Sequence, residues 1–194
     1  MLTWIFLTDG VNDTAFRLSG ELMPLYLDQL AGITVEEIGF LGAVFSIAMM
    51  MTPLLSGKIG DKHGERVPIS IGFLLVFLAF VIFLNVNTVI GFGVCWAVFG
   101  FGVGLFSPAY QSLISKVVPQ KLLGTFTGLF RSSIGFIALP APYIGAYLWE
   151  RFSPQLPFII TAAAALVTII PTWLFFKVPE GQSEPVLAEA TLPE

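Results

Sequence analysis

A short polar stretch, GKIGDKHGER, runs from Gly57 to Arg66 and separates two apolar runs. It contains three glycines and three basic residues, Lys58, Lys62 and Arg66. Glycine permits tight backbone turns, and Lys and Arg accumulate in the short cytoplasmic loops of membrane proteins. The stretch therefore predicts a cytoplasmic turn between two membrane-spanning helices.

The sequence on either side of this turn is apolar enough to require lipid around it. Of the 194 residues, 56% are hydrophobic and 11% are charged, whereas soluble domains carry roughly 25% charged residues. A helix that spans the bilayer needs about 20 mostly apolar residues. Six runs meet this requirement, at residues 2–30, 36–55, 68–84, 88–115, 122–149 and 157–176. We therefore expect an all-α integral membrane protein, with a six-transmembrane-helix bundle in residues 1–177.

The basic residues predict the orientation of this bundle. Six of the nine Lys and Arg residues fall on the side of the 57–66 turn, and one, Arg151, falls on the other side. We therefore expect both termini in the cytoplasm. We also expect the protein in the plasma membrane. Residues 178–194 are acidic, contain prolines and hold little large apolar surface, so we expect a disordered acidic cytoplasmic tail.

The composition also excludes several classes of protein. It does not fit a disordered chain, a disulfide-rich secreted domain or a nucleic-acid-binding domain with a basic face. A single cysteine, Cys95, can form no internal disulfide bond. The spans hold no His or Cys cluster and no Ser/His/Asp set, so we expect neither an enzyme nor a metal or cofactor site.

A polar stripe marks the first span. Its charged members recur every four residues and so share one helix face: they are Asp9, Asp13, Arg17 and Glu21, with Asn12 beside them. A charge near the bilayer centre costs at least ~2.5 kcal/mol and therefore faces a bundle interior or a wet cavity. Because transporters place substrate and ion sites near the midplane, the stripe predicts a substrate or ion-coupling site, with Asp9 and Asp13 as candidates for proton or cation coupling. Two alternatives stay open: a purely structural ion-pair ladder, and a helix that lies on the membrane surface.

Further candidates lie in the fourth and fifth spans. Arg131 is an intramembrane charge that can bind an anionic group, pair with an acid across the bundle, or extend to the cytoplasmic interface. Pro108 can break the fourth helix and expose backbone groups to a cavity. Tyr110 and Gln111 follow this proline, so they are candidates for substrate contact, with core packing as the alternative.

Small residues predict close helix contacts in the same two spans. The pairs Gly100/Gly104 and Gly124/Gly128 have the spacing at which helix backbones approach each other in membranes. Prolines at 140 and 142 predict a bend in the fifth helix.

The polar stretch at 57–66 resembles the signature loop of the major facilitator superfamily, which joins the second and third helices of a six-helix half. That loop has Gly, a basic residue, Asp, a second basic residue, Gly and a third basic residue in order. The matching residues are Gly57, Lys58, Asp61, Lys62, Gly64 and Arg66. The resemblance implies a conformational switch, in which Asp61 accepts hydrogen bonds from neighbouring helix N-termini. The alternative is a solvated turn whose basic residues only set the topology.

The resemblance implies the fold and function of half of a family member. The C-terminal half is favoured, because the chain starts at a hydrophobic span, ends in an acidic tail and lacks an embedded Arg in its fourth span. It implies a secondary active transporter that moves a small solute by alternating access, as a symporter or antiporter. The expected partners are the lipid bilayer and a second six-helix half, from the same chain, a separate chain or a homodimer. The alternative is a non-transporting six-helix membrane protein that acts as an assembly or regulatory partner.

Overall fold

The structure is a computed structural model that describes residues 2–176, and all regular secondary structure in that range is helical. Six consecutive helical segments follow each other along the chain. Segment one comprises α1 (Leu2–Gly20) and α2 (Leu22–Gln29), segment two α3 (Val35–Met51) and α4 (Pro53–His63), segment three α5 (Arg66–Asn85), segment four α6 (Val89–Val117), segment five α7 (Leu123–Ile137) and α8 (Ala141–Arg151), and segment six α9 (Leu156–Val167) and α10 (Ile169–Phe175). The expected tail at 178–194 lies outside the described residues.

Five of the six segments are long and apolar enough to cross a membrane, namely segments two to six. Segment one is helical apart from a break at Glu21, but every window of 18 residues in it carries at least three charged side chains. The expected all-α membrane architecture is therefore confirmed, and the first segment differs from the others by its charges.

The polar stretch at 57–66 is mostly helix rather than a turn, which corrects the expectation from the sequence. Pro53 occupies the first position of α4, where its fixed φ favours a helix, and this helix continues to His63. The turn is confined to Gly64 and Glu65, and the φ of 82° at Gly64 suits glycine. The Gly64 N–H donates to the Gly60 carbonyl at 2.8 Å and closes the helix.

Pro108 also departs from expectation, because α6 continues through it without a break. Neighbouring helices can satisfy the backbone groups that a proline leaves free in a membrane helix. Close to this point the Ser56 hydroxyl donates to the Leu105 carbonyl at 2.6 Å. The bend expected from Pro140 is present, at the break between α7 and α8.

Glycines on α6 let its two neighbours approach closely. A Cβ on Gly102 would lie 2.9 Å from the Gly72 carbonyl oxygen of α5, and one on Gly100 would lie 2.9 Å from the Ala48 Cβ of α3. The expected close packing at Gly100 is thus confirmed. At Gly124 and Gly128 an added Cβ would meet no described atom within 4 Å, so this pair contacts no other helix in the described part of the chain, and its packing stays a prediction.

Aromatic side chains fill the end of the bundle away from the 57–66 stretch. Phe83 is their centre, with its ring centroid 4.7 Å from that of Phe158 and 4.9 Å from that of Tyr26. The members of this aromatic cluster are Tyr26, Phe83, Phe92, Trp96, Trp149 and Phe158. The cluster joins segments one, three, four, five and six at one end.

Candidate functional site

A cavity of about 610 Å³, here called the main cavity, lies between segments one, four and five. It extends from Arg17, in the middle of the bundle, to Ser115 and Leu123. Those two residues lie at the basic end, which we define as the end carrying Lys58, Lys62, Lys116 and Lys121. The main cavity therefore opens from the centre of the bundle towards the basic end and away from the aromatic cluster.

Four charged side chains line the main cavity, and only two of them pair. Arg17 Nε donates to Asp13 Oδ2 at 2.7 Å, as the spacing of four residues along a helix allows. Asp9, one turn before Asp13, makes no hydrogen bond or ion pair with any described residue, and neither does Arg131 on α7. The main cavity thus holds one closed ion pair together with a separate acid and a separate base.

A smaller cavity of about 190 Å³ lies on the other side of the first helix, against segments three, four and six. Asp9 and Asp13 line both cavities, whereas Asn12 lines only the smaller one. The Asn12 side chain donates to the Thr8 carbonyl at 3.0 Å and so remains on its own helix. Glu21 is exposed at the break in segment one and lines neither cavity.

Tyr110 and Gln111 both line the main cavity but differ in their contacts. Tyr110 is 5% exposed, and its hydroxyl shares a hydrogen bond with Thr8 Oγ1 at 2.7 Å and donates to the Ile5 carbonyl at 3.2 Å. It therefore joins segment four to segment one. Gln111 is exposed to the cavity and is the freer of the two to contact a solute.

The residues of the signature stretch lie apart from the main cavity. Gly57, Lys58, Asp61 and Lys62 are exposed on α4, and Asp61 accepts no hydrogen bond from the described part of the chain. Its role in a conformational switch stays a prediction. Arg66, at the start of α5, places its guanidinium carbon 5.0 Å from the centre of the Trp173 ring of segment six.

Glu65 is a functional candidate that the sequence analysis missed. It is buried, accepts a hydrogen bond from Ser112 Oγ at 3.2 Å and pairs with Lys116 Nζ. This pair connects the start of segment three with the end of segment four. A second acid, after Asp61, in a stretch with three basic residues was the available signal, but the partner of Glu65 is 51 residues away.

The structure therefore brings together six of the predicted site residues around the main cavity. They are Asp9, Asp13, Arg17, Tyr110, Gln111 and Arg131. They come from three segments and combine two carboxylates, two guanidinium groups and two uncharged polar groups in one space.

Comparison with known proteins gives a family that fits this architecture. The family model described as Major Facilitator Superfamily matches residues 5–193. An uncharacterized MFS-type transporter of Methanocaldococcus jannaschii is 28% identical over 87% of this chain and 42% of its own length. The multidrug resistance protein MdtG of Yersinia enterocolitica is 26% identical over 98% of this chain and 46% of its own length. The quinolone resistance protein NorA of Staphylococcus aureus is 29% identical over 77% of this chain and 38% of its own length.

A solved structure supports the same fold. The crystal structure of a peptide transporter POT mutant in complex with sulfate superposes with a TM-score of 0.71 at 16% identity, and the match covers 89% of this chain and 37% of that one. The chain spans less than half the length of each of these proteins. It is an integral membrane protein and belongs to the Major Facilitator Superfamily of transporters.

Proposed function

We propose that this chain is one six-helix half of a secondary active transporter that moves a small organic solute by alternating access. The observation that carries the proposal is the main cavity, which brings Asp9, Asp13, Arg17 and Arg131 into one space within the bundle. Intramembrane charges are costly and mark substrate and ion pathways, and transporters bind their substrates near the midplane. From the distribution of basic residues we propose that both termini lie in the cytoplasm, and we propose the plasma membrane as the location.

The proposed transporter needs a second six-helix half, from the same chain, a separate chain or a second copy. Only three segments supply walls to the main cavity. Segments two and five carry large apolar side chains on their outer faces, among them Leu54, Phe136 and Tyr143. Gly124 and Gly128 add a face of segment five to which another helix can pack closely. The greater length of the relatives supports the same proposal.

Asp9 is the residue that we propose couples transport to a proton or another cation. The charge of Asp13 is compensated by Arg17. Asp9 has no such partner among the described residues and borders both cavities, so a cation can reach it from the main cavity and be held there. Acidic side chains inside membrane bundles serve as proton relays in pumps and transporters.

An aromatic organic solute is the substrate class that we propose. Phe106 and Phe130 line the main cavity beside the charged residues, and such a mixture of aromatic walls with a few polar groups is typical of small-molecule sites. Relatives named for multidrug and quinolone resistance support this choice.

Flux in reconstituted vesicles tests the proposal. The assembled protein is placed in proteoliposomes, and movement of a fluorescent quinolone is followed with and without an imposed pH gradient and Na⁺ gradient. We expect flux driven by one of the gradients, and we expect Asp9→Asn to abolish that dependence on the gradient. Asp28→Asn is the matched control, because Asp28 is an exposed acid of segment one outside both cavities. Equal effects of the two variants would contradict the role of Asp9.

The native mass in mild detergent decides between transporter and partner protein. A dimer, or a complex with another six-helix protein, is the expected result. A monomer of 21.1 kDa that supports no flux would contradict the proposal and favour a non-transporting assembly or regulatory partner.

A further inference from the structure

Asp9 and Arg131, the acid and the base of the main cavity that pair with no residue between 2 and 176, specify the ligand class more narrowly than the proposed function does. Building on that function, we propose that the main cavity selects an amphoteric aromatic solute, which places its cationic group at Asp9 and its anionic group at Arg131. A solute with only one of these groups is disfavoured by the same site.

The Asp13–Arg17 pair does not contribute to the selection of a ligand by charge. Asp13 and Arg17 lie one helical turn apart and join at 2.7 Å, so each neutralises the other. A ligand that displaced either would lose as much as it gained. Selection by charge is left to Asp9 and Arg131.

Asp9 and Arg131 lie on different helices that border the same cavity. Asp9 comes from α1 and Arg131 from α7, and both line the main cavity. Asp9 and Arg131 form no ion pair with each other. Because both line the same cavity from different helices, a ligand that carries both charges can contact the two residues at once.

The walls of the main cavity also carry aromatic side chains. Phe106 and Tyr110 from segment four and Phe130 from segment five line the main cavity, so its walls are partly aromatic and suit contact with an aromatic body. The volume of about 610 Å³ lies within the range of drug-sized sites, roughly 300–1,000 Å³.

Discrimination follows from the cost of leaving a charge without a partner. A ligand that fills the cavity also displaces water from it. A purely cationic solute would leave Arg131 desolvated and unpaired, and a purely anionic solute would leave Asp9 in that state. Hydrogen bonds to charged groups contribute about 1.5–3 kcal/mol, so each missing partner should weaken binding about tenfold or more.

Three matched probes test the proposal. The first is a quinolone that carries a basic piperazine amine and a carboxylate, the second is its methyl ester, which is only cationic, and the third is its N-acetyl derivative, which is only anionic. Binding to the assembled full chain in nanodiscs is measured by equilibrium dialysis at neutral pH. We expect the zwitterion to bind about tenfold more tightly than either derivative. Equal affinity for all three probes would overturn the proposal.

Substitutions assign each charge to its residue. Arg131→Gln should weaken binding of the zwitterion about tenfold and strengthen binding of the ester, because no charge is then left desolvated; Asp9→Asn should likewise weaken the zwitterion and strengthen the N-acetyl derivative. The probe whose binding is not weakened shows in each case that the variant still folds. Arg151→Gln is the matched control, since Arg151 is exposed and lines neither cavity. An equal loss for all three probes in Arg131→Gln would assign that residue a structural role and overturn the proposal.

A flux measurement distinguishes this inference about binding from the proposal of transport. Selective binding of the zwitterion without flux across proteoliposomes would contradict the proposed transport and support this inference. Flux of the ester at the rate of the zwitterion would support transport and overturn the inference.

Discussion

The aromatic cluster and the main cavity both draw on segments one, four and five but are filled in opposite ways. Phe83 and Phe158 in the cluster are completely buried, with ring centroids 4.7 Å apart, and apolar rings need no partner beyond each other. Asp9 and Arg131 border about 610 Å³ of open space, and charged groups there need water, a solute or another chain. The comparison predicts that stability depends mainly on the cluster and the proposed transport mainly on the main cavity, so substitutions should separate the two.

The largest expected effect is on the aromatic cluster. Phe158→Ala removes a ring that contacts Tyr26 and Phe83 and leaves a cavity between segments one, three and six. We expect the free energy of unfolding to fall by about 3–5 kcal/mol, measured in mixed detergent micelles. Phe136→Ala is the control, because Phe136 is 76% exposed on the outer face of segment five. Similar losses for both variants would contradict the assignment of stability to the cluster.

The next largest effect on stability is expected at Gly145, where segment five packs against segment one. Gly145 on α8 lies against segment one, and an added Cβ would overlap the Leu18 carbonyl oxygen. Gly145→Ala should therefore force the two helices apart and cost about 1–3 kcal/mol, measured as a lower free energy of unfolding. In the control, Gly135→Ala, a Cβ would meet no described atom within 4 Å. That variant should gain up to about 1 kcal/mol in helix propensity, so a loss there would contradict the packing argument.

The sequence predicts those features of the fold whose determining residues lie close together along the chain. The helical segments were predictable because each apolar run is contained in one stretch of the sequence. The end of α4 was predictable for the same reason, since Gly64 lies next to it. The Asp13–Arg17 pair was predictable because four residues make one helical turn. The helical state of Gly57 was not, because a glycine allows both a turn and a helix, and the choice depends on Pro53 and the packing of α4.

The same limit applies to the candidate site. Tyr110 was identified as a candidate by its neighbour Pro108, but its bond to Thr8 spans 102 residues and has no sequence signal. The Glu65–Lys116 pair spans 51 residues. That Arg131 faces the main cavity depends on the rotation of α7 about its axis, which the sequence of one segment does not determine.

The Glu65–Lys116 pair at the basic end should make an intermediate contribution to the free energy of unfolding. Asp9 has no partner among the described residues, whereas the buried Glu65 pairs with Lys116, whose side chain is 29% exposed. Glu65→Gln should cost about 1–2 kcal/mol of unfolding free energy, because partial exposure reduces the penalty for breaking a buried ion pair. A double-mutant cycle with Lys116→Met measures the coupling. Additive effects would show that the two residues do not stabilise each other.

Tyr110 tests whether a residue of the main cavity also stabilises the bundle. Tyr110→Phe removes the hydroxyl that bonds to Thr8 and Ile5, while the Thr8 hydroxyl keeps its bonds to its own helix. We expect a loss of about 1 kcal/mol in unfolding free energy. Tyr143→Phe, at an exposed position of segment five, should change nothing measurable. If Tyr110→Phe is equally silent and instead weakens solute binding, Tyr110 acts as a solute contact.

The smallest expected effect concerns the Asp13–Arg17 pair, and it decides whether the main cavity is wet. Both side chains are partly exposed, so in a water-filled cavity a double-mutant cycle with Asp13→Ala and Arg17→Ala should give a coupling of about 0.5 kcal/mol. A cysteine at position 17 should then react with aqueous thiol reagents. A coupling several times larger, together with an unreactive cysteine, would mean that the pair is desolvated. The contrast between a dry aromatic cluster and a hydrated cavity would then fail, and the pair would be a structural ladder within the bundle.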